Sequence, residues 1–160
     1  MNFISAGNIF RQIAKERGHT LEEFSILAKD LPNIDLEIDE RTKKYGQVDN
    51  TVIDAQLAAY FTPKNKNPAD PSIIKICITA SPETRWKRIS KRDGISFEDA
   101  KHETNIREEM EAERFNSLYG VSVDDLSVYD IVIQSDNLAK EYVYDLVKQI
   151  IIFSKDYQPE

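Results

Sequence analysis

The fold of this chain is decided by residues 73–79, IIKICIT, in which apolar side chains occupy both alternating faces and only Lys75 interrupts them. A strand that is apolar on both faces is typical of a parallel sheet covered by helices on each side. Residues 50–54 (NTVID) and 129–134 (YDIVIQ) predict two more strands, and helical patterns separate them. The sequence therefore predicts an α/β domain with a parallel sheet.

Residues 81–120 predict a helix, a break and a longer helix. Ser81 precedes a proline, and this pair caps and begins a helix. Gly94 ends that helix, and Ser96 begins the next one with an aspartate three residues later. Gly120 is placed to adopt the left-handed turn that ends the second helix.

Four arginines in this region follow helical spacing. Arg88 and Arg92 are four residues apart, and Arg107 and Arg114 are seven apart, which is two turns of helix. Guanidinium groups stay charged and bind phosphate oxygens through paired hydrogen bonds, so a polyphosphate site is one interpretation. Ordinary surface ion pairs are the other, because Glu111 lies four residues after Arg107. The spacing alone leaves both interpretations open.

The remaining segments predict a helical lobe before the sheet and a helix after it. Residues 5–46 hold three short helical patterns, which begin at Ser5, at a capping box formed by Thr20 and Glu23, and at Asn33. Residues 138–153 are amphipathic. The side chains of this last helix that we expect to face inward are Val143, Leu146, Val147, Ile150 and Ile151.

Composition excludes several classes of protein. A chain of 160 residues with a net charge of −7 suits one domain and disfavours indiscriminate binding to nucleic acid or anionic membranes. Unbroken apolar runs such as residues 150–153 are far too short to span a bilayer. Cys77 is the single cysteine, which excludes an internal disulfide and favours a core role in a reducing cytoplasm. His19 and His102 have no ligand partner at metal spacing.

Several motifs occur in the order found in one enzyme family. They are Ser5-Ala6-Gly7-x-x-Phe10-Arg11, IDLEIDE at 34–40, VIDAQLA at 52–58, RISKRDGIS at 88–96, and the series Arg107, Arg114-Phe115, Tyr119-Gly120, Asp125-Leu126-Ser127 and Tyr129-Asp130. With these motifs the chain resembles the archaeal-type cytidylate kinases, which are nucleoside-monophosphate kinases. The resemblance extends from Phe3 to the final helix.

The resemblance implies phosphoryl transfer from ATP, bound with Mg²⁺, to CMP or dCMP. It implies the three-layer parallel sheet of the P-loop nucleoside-monophosphate kinases, in a single domain of residues 1–160. We expect the protein to be a monomer. In that fold residues 5–46 form the helical acceptor-nucleotide lobe, residues 50–80 and 129–155 the core, and residues 81–120 the lid. The choice between CMP, dCMP and UMP stays open, because it depends on geometry within the lobe.

The resemblance also assigns residues to roles. The residues that it places at the acceptor nucleotide are Ser5, Arg11, Asp35, Asp39 and Gln56. The residues that it places in the lid or around the transferring phosphoryl group are Arg88, Arg92, Arg107 and Arg114. The family usually has an arginine at the position of Gln56. A charge-assisted hydrogen bond is worth about 1.5–3 kcal/mol against about 1 kcal/mol for a neutral one, so we expect weaker acceptor binding, which Arg11 partly offsets.

A second departure concerns the donor phosphates. The family has a strand, a glycine-rich loop of the G-x-x-x-x-G-K-[ST] kind and a helix ahead of the Ser5 segment, whereas this sequence starts just before that segment. Its five glycines, at positions 7, 18, 46, 94 and 120, compose no such loop. We therefore expect the central first strand and the donor-phosphate site to be absent, with negligible turnover by these 160 residues alone.

Three hypotheses follow from this departure. The chain is a cytidylate kinase whose start lies further upstream, a non-catalytic module for nucleotide binding or protein interaction, or one half of a split enzyme. The sequence leaves all three open.

Overall fold

A computed structural model describes residues 1–20, 23–24, 27–28, 31–62 and 73–156 of the chain. They fall into two compact units, Met1–Pro63 and Lys64–Glu160. No helix within these described ranges is long and apolar enough to cross a bilayer. The single kinase-like domain expected from the resemblance stays a prediction.

The first unit is built around a pair of short parallel strands. Strand β1 (Asn2–Ser5) lies beside β2 (Thr51–Asp54), with Ser5 opposite Asp54 at their carboxyl ends. The sequence predicted β2 but no strand at β1. The helices of this unit are α1 (Ala6–Glu16), α2 (Pro32–Tyr45) and α3 (Ala58–Phe61).

An apolar cluster holds the helices of the first unit together. Its buried members are Ile9, Ile13, Ala14, Phe24 and Ile34. Three of them recur on α1 at the spacing of one helix face, so folding buries that stripe against Ile34 of α2 and against Phe24.

The predicted capping box is confirmed. The Thr20 N–H donates to Glu23 Oε2 at 2.8 Å, and the Glu23 N–H donates to Thr20 Oγ1 at 3.2 Å. Much of the helix predicted after Thr20, and the loop predicted at 63–72, lie outside the described residues.

The second unit has its own pair of parallel strands. Strand β3 (Ile76–Thr79) lies beside β4 (Ile131–Gln134), so that Thr79 is opposite Gln134 at the carboxyl ends. Its helices are α4 (Pro82–Asp93), α5 (Phe97–Tyr119) and α6 (Lys140–Asp156), with a 3₁₀ turn at Leu126–Val128. Parallel strands alternating with helices confirm the α/β class. The three-layer sheet and the absent central strand stay predictions.

The four predicted boundaries of the helix pair are confirmed. Ser81 Oγ accepts from the Thr84 N–H at the start of α4, and Gly94 ends that helix at a φ of 69°. Ser96 Oγ accepts from the Asp99 N–H at 3.0 Å. Gly120 has a φ of 63°, a left-handed conformation that costs glycine nothing.

Two residues that were predicted to be buried, Ile78 and Leu146, are exposed. Lys75, the expected polar exception, is only 8% exposed, whereas Ile78 in the same strand is 55% exposed. Lys75 precedes β3 and is held by the start of β4, because its N–H donates to Asp130 Oδ2 at 2.8 Å and its carbonyl accepts from the Asp130 N–H at 2.9 Å. Leu146, expected to face inward on α6, is 43% exposed.

Candidate functional site

The turn from β1 into α1 gathers one group of predicted site residues. Ser5 ends the strand, caps the helix and accepts a hydrogen bond from the Asn8 N–H at 3.1 Å. The first N–H groups of any α-helix have no partner within the helix, and together with the helix dipole they attract anions. The structure therefore places the Ser5 hydroxyl at an electropositive helix start.

Arg11 folds back over this same turn. A Cβ atom added at Gly7 lies 3.6 Å from Arg11 Nη1 and 3.9 Å from Ser5 Oγ, so the guanidinium and the hydroxyl flank one glycine. Arg11 Nη2 donates to Asn8 Oδ1, which holds the side chain in this position. Ser5 and Arg11, which are six residues apart in sequence, are thus brought together.

The other residues predicted at the acceptor nucleotide lie in the same unit. Gln56 is exposed and follows β2 by two residues, near the sheet edge where Ser5 is opposite Asp54. Asp35 and Asp39 are half-buried and one turn apart on α2, and each has an interaction partner. Their assignment to the nucleotide stays a prediction.

Arg88 in the second unit is bound to the end of β4. Its Nη1 donates to Ser135 Oγ at 2.9 Å and its Nη2 donates to the Ser135 carbonyl at 2.6 Å. Ser135 is buried, and its own hydroxyl donates to the carbonyl of Thr79 at 2.9 Å. In this conformation the guanidinium of Arg88 joins α4 to the carboxyl ends of β3 and β4.

Arg92 and Arg107 both lower the pKa of Asp93. Arg92 donates from Nε to Asp93 Oδ1 at 2.6 Å and from Nη2 to Oδ2 at 2.7 Å. The hydrogen bond from Arg92 is the main cause that lowers the pKa of Asp93, and the positive charges of Arg92 and Arg107 lower it further. Both arginine side chains are exposed, Arg92 at 68% and Arg107 at 58%.

The other contacts of the α5 arginines fit the alternative of local pairing. Arg107 Nε lies 4.0 Å from Glu111 Oε1, an exposed pair of the kind that contributes little to stability. Arg114 is half-buried, and its guanidinium carbon lies 4.9 Å from the centroid of the Phe115 ring. Of the four arginines, Arg92 thus binds Asp93, Arg107 lies beside Glu111, Arg88 binds Ser135 and Arg114 contacts the Phe115 ring.

Sequence reasoning missed the residues that hold α4 and α5 in place. Arg85 donates to the Ala80 carbonyl at 2.9 Å and to Glu108 Oε2 at 2.8 Å, which links the two helices. Ser135 and Asp136 bind α4 from the turn after β4. Their position directly after a predicted strand was the available signal, because functional groups gather at the carboxyl ends of parallel strands.

The described residues form a cavity but hold no cluster of metal ligands. Within the described ranges, no group of three or more histidine, cysteine, aspartate or glutamate side chains is arranged to hold a metal ion. A cavity of about 330 Å³ lies along one face of α5. Its lining residues are Glu98, Lys101, His102, Asn105, Ile106 and Glu109, none of which is a predicted site residue.

Comparison with known proteins places the chain in a family. The family model described as the cytidylate kinase-like family matches residues 1–137. The chain belongs to the cytidylate kinase-like family. This confirms the resemblance drawn from the ordered motifs.

Individual relatives agree with the family match. A cytidylate kinase of Staphylothermus marinus is 43% identical over 151 residues, which are 94% of this chain and 82% of the relative. Cytidylate kinases of Methanopyrus kandleri and Archaeoglobus fulgidus are 37% and 35% identical, and the matches cover 80% and 83% of those chains. An uncharacterized protein of Eubacterium ventriosum has a similar fold, with a TM-score of 0.59 at 15% identity over 94% of this chain and 98% of its own.

Proposed function

We propose that this member of the cytidylate kinase-like family takes part in phosphoryl transfer from ATP to CMP or dCMP. Its first unit supplies contacts to the acceptor monophosphate. Its second unit supplies the arginines that stabilise the transferring phosphoryl group. The names of the archaeal relatives support the reaction class. Catalysis of this kind depends on positioning and charge stabilisation, which arginines and helix starts provide.

One observation carries the acceptor part of the proposal. The guanidinium of Arg11 and the hydroxyl of Ser5 flank Gly7 at the start of α1. A nucleoside monophosphate carries a compact dianion that matches a guanidinium, a hydroxyl and helix N–H groups. Gln56 adds a neutral donor at the adjacent strand end. We infer that this turn holds the phosphate of CMP.

The second unit offers two exposed cations around one carboxylate. Asp93 accepts the hydrogen bonds of Arg92, and the positive charge of Arg107 helps to lower the pKa of Asp93. Phosphate oxygens are an equivalent acceptor with more charge, and we infer that they replace the carboxylate when ligand binds. Arg88 and Arg114 stay proposed site residues.

Magnesium enters this proposal with ATP. A magnesium ion bound to phosphates needs only one or two carboxylates from the protein, and it neutralises charge on the transferred group. Asp54 fits that need, because it is exposed at the carboxyl end of β2 opposite Ser5.

The donor phosphates require a further element. The five glycines of the sequence compose no G-x-x-x-x-G-K-[ST] loop, the element that cradles the phosphates of ATP in P-loop kinases. We propose that a segment other than these 160 residues supplies it. The same observation favours the second candidate function, a nucleotide-binding module without turnover, and is equally compatible with one half of a split enzyme.

Calorimetric titration of CMP into the purified chain tests the acceptor site. We expect Arg11→Ala to weaken CMP binding at least about tenfold, since one charge-assisted hydrogen bond contributes about 1.5–3 kcal/mol. Lys15→Ala is the matched control, because it removes one positive charge from the exposed surface near the end of the same helix. Absence of CMP binding by the wild-type chain, or equal losses in both variants, contradicts the acceptor site.

A turnover assay tests the donor part. Incubation of the 160-residue chain with CMP, ATP and Mg²⁺ is followed by chromatography for CDP. We expect CMP binding without measurable CDP. Production of CDP by the chain unaided contradicts the proposal that the donor loop lies elsewhere.

A further inference from the structure

The turn after β4 binds α4 at two places. Ser135 accepts both hydrogen bonds of Arg88, as described above. The next residue, Asp136, accepts from the start of the helix: Oδ1 receives the Ser81 N–H at 2.9 Å and the Ser81 hydroxyl at 2.7 Å. Two consecutive residues thus hold a helix that lies 47 to 55 positions earlier in the chain.

The carboxylate of Asp136 is itself well supported. Its Oδ2 accepts from Gln134 Nε2, and Thr84 Oγ1 lies 3.0 Å from Ser81 Oγ in the same cluster. Hydrogen bonds from the Thr84 hydroxyl, the Ser81 hydroxyl and the Ser81 N–H lower the pKa of Asp136 well below its usual range. Asp136 is therefore charged at neutral pH, and a negative charge at a helix start is favourable.

The two attachments fix the rotation of α4 as well as its position. Ser81 and Arg88 are seven residues apart, which is two turns, so both lie on the face of α4 that meets the turn after β4. Arg92 is one turn further along the same face. Its height and direction therefore follow from where Ser81 and Arg88 are held.

We propose that Asp136 is a positioning residue for the phosphate-binding arginines of this family member. By holding Ser81 it sets the register of α4, and thereby presents Arg92 to the phosphates of the nucleotide. Asp136 contacts Ser81, Thr84 and Gln134, and it acts on the ligand only through α4. This inference rests on the proposed function, because it requires that Arg92 binds phosphate.

The test combines amide hydrogen exchange with calorimetric titration of inorganic tripolyphosphate into the full chain. In Asp136→Ala we expect amides of residues 84–88 to exchange at least about ten times faster, because the helix start loses its anchor. We expect tripolyphosphate binding to weaken about fivefold or more. Asp136→Asn keeps an oxygen at the Oδ1 position, so the exchange rates of these amides and the affinity for tripolyphosphate should stay within about threefold of wild type.

Two further variants separate positioning from general damage. Asp125→Ala is the matched control, because it removes a carboxylate that also caps a turn of this unit, where Asp125 Oδ1 accepts from the Ser127 N–H at 2.9 Å. It should leave both values within about twofold of wild type. Ser81→Ala removes the hydroxyl that donates to Asp136 but keeps the Ser81 N–H, so the double variant Ser81→Ala with Asp136→Ala should bind tripolyphosphate no more weakly than Asp136→Ala alone.

The outcomes distinguish this inference from the function on which it rests. A wild-type chain that does not bind tripolyphosphate contradicts the proposed phosphate site itself. A wild-type chain that binds it, with equal affinity in Asp136→Ala, contradicts the positioning role alone, even if exchange is faster. Unchanged exchange at residues 84–88 shows that Asp136 is not an anchor.

Discussion

The two units of the molecule hold their helices by different combinations of contacts. In the first, α1 and α2 pack through an apolar cluster centred on Ile9, Ile13 and Ile34, and the ion pair between Arg41 and Glu16 adds to it. In the second, charged side chains bind the helices: Arg85 joins α4 to α5, and Arg88 joins α4 to the strand ends. In each unit these contacts hold a helix that carries an arginine proposed to bind phosphate, Arg11 on α1 and Arg92 on α4.

Apolar contacts and charged hydrogen bonds differ in what they determine: the first mainly set stability, and the second set the orientation of a helix. Apolar burial is non-directional and contributes free energy in proportion to the area removed from water. Hydrogen bonds to charged groups contribute less, but they require a particular direction and so fix the rotation of a helix. We therefore expect variants of the first unit to change global stability, and variants of the second to change ligand affinity more than stability.

The largest expected effect is on the apolar cluster. Ile13 is fully buried, and replacement of a buried isoleucine by alanine removes its apolar contacts and leaves a cavity. We expect Ile13→Ala to lower the free energy of unfolding by about 3 kcal/mol, within the range of about 2–5 kcal/mol for such changes. Urea unfolding followed by circular dichroism measures it. Leu36→Ala, at an exposed position of α2, is the control, and an equal loss there contradicts the assignment of the core.

The next effect is expected at the exposed arginines of the second unit. Arg107→Ala should weaken tripolyphosphate binding about tenfold, by loss of one charge-assisted contact, while the urea midpoint changes little. Lys87→Ala removes a charge from an exposed pair with Glu83 on α4 and should leave binding nearly unchanged. Wild-type affinity in Arg107→Ala would show that this arginine serves only its pair with Glu111. In an enzyme that also contains the donor-phosphate loop, Arg107→Ala should lower turnover by orders of magnitude.

A smaller effect is expected at the start of α5. Ser96→Ala removes the hydroxyl that accepts the Asp99 N–H, and loss of such a cap costs about 1 kcal/mol. Urea unfolding again gives the value. Ser117→Ala, at an exposed position near the other end of α5, is the comparison. If only Ser96→Ala lowers the free energy of unfolding, the result supports a stabilising role for local hydrogen bonds in the second unit.

A modest gain in affinity is expected from Asp93→Asn. The carboxylate of Asp93 competes with phosphate for Arg92, and the amide is a weaker competitor. We expect tripolyphosphate to bind about threefold more tightly to the variant in a calorimetric titration at neutral pH. Asp99→Asn removes an equal charge from the first turn of α5 without touching Arg92, and should give a smaller gain. Weaker binding by Asp93→Asn contradicts the competition.

The smallest effect concerns pH. The folded protein lowers the pKa of Asp93 below its ordinary value of 3.8, so its stabilising contribution is present above that pH and is lost as the pH falls below it. Asp93→Asn has no such titration. The difference in urea midpoint between wild type and this variant should therefore shrink between pH 6 and pH 3. A constant difference across that range would show that the charge of Asp93 contributes nothing to stability.

Local features were predictable from the sequence, and contacts between distant segments were not. The caps at Ser81 and Ser96 and the glycine ends of both helices involve residues within a few positions of one another, so their chemistry identifies them. The hydrogen bond from the Lys75 N–H to Asp130 joins residues 55 positions apart, which no periodicity reveals. The exposed Ile78 shows that an apolar strand predicts burial only if both faces of its sheet are covered.

The candidate site divides in the same way. Helical spacing indicated one possible polyphosphate site made of Arg88, Arg92, Arg107 and Arg114, and it gave no reason to assign them different roles. The structure gives them different partners, and it adds Ser135 and Asp136, which the sequence alone did not single out. In the first unit, the helix start at Ser5 was predicted from its chemistry, whereas only the resemblance placed Ser5 and Arg11 at one ligand; the structure has both side chains beside Gly7.

The sequence by itself determined the α/β class, the limits of the helix pair and membership of the family, because these depend on local caps, on periodicity and on the order of motifs. Only the tertiary structure decided which arginine faces which partner. Arg88 meets Ser135 across 47 residues because β3 and β4 lie side by side, and such a meeting follows from strand pairing, not from any pattern along the chain.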